Sequence, residues 1–81
     1  MKQMTYDQLQ RIARANVLRL KREQGLSNAV LARMTGMSEV TVSMVMSGKR
    51  SITLYTLWAL SNAFGVNIRE LLRNGKNIRR Q

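Results

Sequence analysis

NAVLARMTGMSEVTVSMVMS, running from Asn28 to Ser47, is the stretch that decides the fold. It divides at Thr35-Gly36-Met37-Ser38 into two short segments, with Leu31 and Ala32 on one side and Val42 and Val45 on the other at helical spacing. A connection this tight forces the two helices to cross steeply. Gly36 permits the turn because a residue without a Cβ enters the left-handed region without strain. Ala32 falls where the helices approach most closely, so a larger side chain would push them apart. Leu31, Val42 and Val45 are spaced to fill the crevice between them.

Outward from this core, glycines recur where helices would stop: Gly25, Gly36, Gly48, Gly65 and Gly75. Starts recur as an apolar residue, a capping residue and a second apolar residue five positions after the first. These are Met4-Thr5 with Leu9, Leu26-Ser27 with Leu31, Met37-Ser38 with Val42, Ile52-Thr53 with Leu57, and Val66-Asn67 with Leu71. Thr5 with Gln8 and Asn67 with Glu70 add capping boxes. The pattern predicts helices near Tyr6 to Gln24, Asn28 to Thr35, Glu39 to Ser47, Leu54 to Phe64 and Ile68 to Asn74, and no strand. Helix one is expected to bury Leu9, Ile12, Ala13, Val17 and Leu20 and to turn Arg11, Arg14, Arg19, Lys21 and Arg22 toward water. Helix four offers Leu57, Leu60, Ala63 and Phe64 to the core. One helix-turn-helix domain over residues 1–75 is expected, with a basic tail over residues 76–81.

The chain has 81 residues and neither Cys nor His. That excludes a disulfide framework, nearly every transition-metal site and the commonest general base, so neither cofactor nor metal is expected. The acids, Asp7, Glu23, Glu39 and Glu70, are dispersed, which argues against an enzyme. No apolar run approaches the roughly 20 residues of a membrane span, so no membrane association and a cytoplasmic location are expected. No small-molecule ligand is expected either, since the length leaves no room for a separate ligand domain.

The net charge of +10 favours a polyanionic partner. Residues 1–24 carry six cations against two acids, residues 25–48 one of each, and residues 49–81 seven against one. Phosphate contacts position a protein on a duplex while base contacts read its sequence, and a neutral middle between basic flanks suits that division.

In Gly25-Leu26-Ser27, Leu31-Ala32, Gly36-Met37-Ser38, Val42, Gly48-Lys49-Arg50, Leu57, and Phe64-Gly65-Val66 followed by Leu71-Leu72, the chain resembles the lambdoid phage repressor and Cro family, the xenobiotic-response-element-like group of regulators. The resemblance spans Ile12 to Leu72. It implies a compact, five-helix, all-α lambda-repressor-like domain whose helices two and three form a helix-turn-helix, with helix three in the major groove of double-stranded DNA. By position in the family pattern, Glu39, Val40, Ser43 and Met44 read bases, and Ser27, Asn28, Thr41, Ser47, Lys49 and Arg50 meet phosphates. Two departures stand out. Asn28 occupies a position where the family usually has Gln, and the shorter amide reaches less far. Met46 stands where many relatives have a Glu that pairs with a helix-one cation, here Lys21, so that pair cannot form.

Val40 and Met44 cannot form bidentate hydrogen bonds, so thymine-methyl packing is expected there, with Glu39 accepting from a cytosine amino group. The alternative is that Val40, Met44 and Met46 cover the core. Arg79 and Arg80 suit a narrow A/T-rich minor groove. Tyr55, Trp58, Ile68, Leu71 and Leu72 exceed what so small a bundle encloses, and Trp58, Ile68, Leu71 and Leu72 are expected at a homodimer seam. The leading expectation is a phage-type or bacterial repressor that binds a palindromic operator as a homodimer. An antitoxin that binds its own promoter and a toxin, and a nonspecific nucleic-acid binder, are the alternatives.

Overall fold

In the computed structural model, which describes residues 3–74, the elements are α1 (Tyr6–Glu23), α2 (Asn28–Thr35), α3 (Glu39–Ser47), α4 (Leu54–Phe64) and α5 (Ile68–Leu72). The class is all-α, as expected. Each start carries the capping residue read from the sequence: the side chains of Thr5, Ser27, Ser38, Thr53 and Asn67 accept from backbone N–H groups of the first helical turn. The capping box at α1 is complete, with Gln8 Oε1 accepting from Thr5 N at 2.8 Å. The one expected at α5 is not formed. Glu70 instead accepts from Arg73 Nη1 at 2.9 Å, and Asn67 caps the Arg69 N–H.

α2 ends on Gly36 and α3 on Gly48, both left-handed, with φ of 76° and 86°. Beyond Gly48, the Lys49 N–H bonds the Met44 carbonyl at 2.9 Å and closes the last turn of α3. α5 stops earlier than expected, at Leu72. The buried amide of Asn16 donates to the Leu71 and Arg73 carbonyls at 2.9 and 2.8 Å, which supplies partners other than a further helical turn. The expected stop at Gly75 and the basic tail of Lys76, Arg79 and Arg80 lie outside the described residues.

α1 packs on α3, α4 and α5, and α2 packs on α3 and α4. Val17, Leu31, Leu60 and Leu71 are wholly enclosed, and Ala13, Leu20, Ala32, Val42, Val45, Ile52, Leu57 and Phe64 complete one core. Leu9 and Ile12, expected inside, are half-buried. Polar side chains of α1 and its C-cap grip the backbone of distant elements. Gln10 bonds both backbone groups of Ile52, Asn16 holds the end of α5, and Gln24 donates to the Phe64 carbonyl at the end of α4.

Candidate nucleic-acid interface

α2 and α3 meet through Leu31, Ala32, Val42 and Val45, all buried, and this fixes which face of α3 points away from the protein. Val40, Ser43, Met44 and Ser47 lie at helical i, i+3, i+4 and i+7 positions on that outer face. Val40 is 67% exposed, Glu39 and Ser43 are exposed, and Met44 is half-buried yet outside the core cluster. Met46 differs: it packs against the core, so the core-covering alternative holds there. Glu39 forms no ion pair among the described residues, whereas Asp7 and Glu23 pair with Arg11 and Arg19 within α1, and Glu70 pairs with Arg73 just past the end of α5.

The expected phosphate-meeting residues fall into two groups on the helix ends. Ser27 caps α2 by accepting from the Val30 N–H at 3.1 Å, which leaves its hydroxyl hydrogen free to donate outward. Asn28 follows in the first helical turn. Its Oδ1 is shut off from solvent with no hydrogen-bond partner among the described residues. The α2 N-terminus beside both residues carries unpaired N–H groups and a partial positive charge that favour an anion. Thr41 Oγ1 accepts from Ser38 Oγ at 2.9 Å and so keeps its own hydrogen to give. Ser47 differs, because its hydroxyl donates to the Met44 carbonyl at 3.2 Å. Lys49 and Arg50 are exposed in the turn closing α3 and form no ion pair among the described residues.

Two expectations need correction. Leu71 has no accessible surface, because it is enclosed in the core of its own chain and cannot line a seam. Arg14, expected toward water, is half-buried and donates from Nε to the Val45 carbonyl at 3.2 Å. The α1 cation that reaches α3 is thus Arg14, while Lys21 forms no ion pair among the described residues. The signal for Arg14 was present in the sequence. Gln10, Ala13, Arg14 and Val17 share i, i+3, i+4 and i+7 spacing, which puts two polar residues inside an apolar stripe.

A helix, a tight turn and a second helix with an exposed outer face make up a helix-turn-helix. The profile of the Helix-turn-helix family matches residues 18–71. Over 64 residues, 79% of this chain and 83% of the relative, the chain is 33% identical to the uncharacterized HTH-type transcriptional regulator y4dJ of Sinorhizobium fredii. Among solved structures it is similar to the restriction-modification controller protein C.AhdI from Aeromonas hydrophila, with a TM-score of 0.70 and 29% identity over 82% of this chain and 98% of that one. It also shares the fold of a hypothetical transcription factor, NHTF, from Neisseria, with a TM-score of 0.80 and 23% identity over 96% of this chain and 90% of that one. The chain belongs to the Cro/C1-type helix-turn-helix family, DNA-binding transcriptional regulators rather than enzymes. Among the described residues, no helix is long and apolar enough to cross a membrane.

Proposed function

We propose that the protein is a repressor that binds a palindromic operator as a homodimer, with α3 in the major groove. Glu39, Val40, Ser43 and Met44 meet base edges, while Ser27, Asn28, Thr41, Ser47, Lys49 and Arg50 meet the backbone. The observation that carries this reading is the outer face of α3. Val40, a residue that usually packs inside, is 67% exposed there, and Lys49 and Arg50 in the turn closing the same helix are exposed with no ion pair among the described residues. An apolar side chain in that place gains most by packing on a thymine methyl.

A second face supports pairing of two copies. Leu54 is 78% exposed beside a groove of ≈ 290 Å³ lined by Tyr6, Leu9, Ile52, Leu57 and Leu72. Trp58, one turn further along α4, is 52% exposed and packs against the exposed Tyr55, with ring centroids 5.7 Å apart and planes tilted by 46°. We assign the seam to Leu54, Tyr55, Trp58 and Leu72, with the half-buried Ile68 nearby in sequence and Leu71 withdrawn. A two-fold protein matches half-sites about 34 Å apart.

Selection of bound duplexes from a random pool, followed by sequencing, tests the proposal. The expected product is a pair of inverted half-sites one helical turn apart, and a reporter carrying that site is expected to be silenced by the chain. A single unpaired site, no enrichment, or activation of the reporter would contradict it. Recovery of a stoichiometric small toxin with the chain would support the antitoxin reading instead.

A further inference from the structure

Gln10 and Arg14 stand four residues apart on α1 and reach the two ends of the segment 45–52. Arg14 Nε donates to the Val45 carbonyl at 3.2 Å. Gln10 accepts from the Ile52 N–H at 2.8 Å and donates back to its carbonyl at 2.9 Å. Between these holds lie Gly48, Lys49 and Arg50. A Cβ on Gly48 would sit 3.4 Å from Arg14 Cζ and 3.5 Å from its Nε and Nη1, so the guanidinium lies against the face that the glycine leaves open.

Arg14 is unlike its neighbours on the same helix. Arg11 and Arg19 pair with carboxylates of α1, whereas Arg14 meets no carboxylate among the described residues and gives its cation to the carbonyl end of α3. That end carries partial negative charge, which a cation stabilises, and a directional bond fixes orientation as apolar packing does not. Lys49 and Arg50 both hang from it, because both backbone N–H groups bond the Met44 carbonyl, at 2.9 and 3.2 Å.

We propose that Arg14 is a positioning residue for DNA recognition. With Gln10 it clamps the turn after α3 and so sets Lys49 and Arg50 relative to the outer face of that helix, without itself touching DNA. The inference rests on the DNA-binding reading of α3.

The test uses the full chain and its variants Arg14→Gln and Arg14→Lys at a temperature where circular dichroism shows each folded. Affinities for a selected operator and for random duplex are measured across a salt series, and amide exchange at Lys49 and Arg50 is followed in the free protein. Arg14→Gln is expected to lose about tenfold on the operator, the scale of one hydrogen bond to a charged group. The loss on random duplex is smaller, the salt slope unchanged, and exchange at Lys49 faster. Arg14→Lys keeps the charge but lacks the planar fork, and falls between. Unchanged operator preference and exchange would overturn the proposal. So would a salt slope lowered by about one with exchange at Lys49 unchanged, because Arg14 would then be a phosphate ligand itself. If Arg14→Gln fails to fold, Arg14→Lys decides alone by the same readouts. Absence of any operator preference in the unmodified chain would instead remove the reading on which the inference rests.

Discussion

Lys49 is an exposed cation without an ion pair among the described residues, and Met44 faces out of the same helix end as a half-buried thioether. The two differ in what they can report about DNA. A phosphate contact carries no sequence information, so Lys49→Ala is expected to weaken binding to all duplexes alike and to lower the salt slope by about one. Met44→Ala is expected to change base preference at one position with the salt slope intact. Affinity against salt and against a set of single-base operator variants separates the two, and a changed preference in Lys49→Ala would invert their roles. Gln10 belongs to the interior. Gln10→Ala would leave the Ile52 N–H and C=O buried and unpaired, at a cost of about 2 kcal/mol or more in urea unfolding.

Element ends follow from single side chains, and this is where the sequence was most legible. Ser38 caps α3 through the Thr41 N–H at 3.1 Å and also bonds the Thr41 hydroxyl. Ser38→Ala is expected to destabilise the fold by about 1 kcal/mol, read as a lowered melting temperature. The five caps and the spans of α2, α3 and α4 were readable because each rests on contacts within a few residues of its own start or stop. The early end of α5 was not, and for Arg14 the spacing placed it in the apolar stripe without naming its partner, because these features depend on bonds to residues 55, 57 and 31 positions away in the chain. The Asn67–Glu70 capping box failed for a similar reason. Arg73 competes for the same carboxylate at 2.9 Å, and an ion pair between exposed groups is enough to draw it away from a neutral amide. The outer face of α3 was legible because Val42 and Val45 already occupy the inner one. Leu71 was misassigned to a seam because spacing alone does not tell an inward from an outward apolar residue on a helix as short as α5.

For the whole molecule, the basic flanks read from the sequence separate into two kinds. Arg11, Arg19 and Arg73 are tied to neighbouring carboxylates, while Lys21, Arg22, Lys49, Arg50 and Arg69 form no ion pair among the described residues. Pairing of two copies is the part of the proposal that belongs to this scale. Leu54→Glu with Trp58→Glu is expected to shift sedimentation from dimer to monomer and to weaken operator binding while leaving the helical content intact, because both side chains are largely exposed. A dimer that survives both changes would place the seam elsewhere. The central claim is that the exposed edge of α3 enters duplex DNA, and the most direct measurement is a titration of the isotope-labelled chain with its selected operator, followed through backbone amide signals. The account predicts that the signals of Glu39 to Met44 shift strongly with operator and little with random duplex, and signals in that segment that ignore the operator would contradict it.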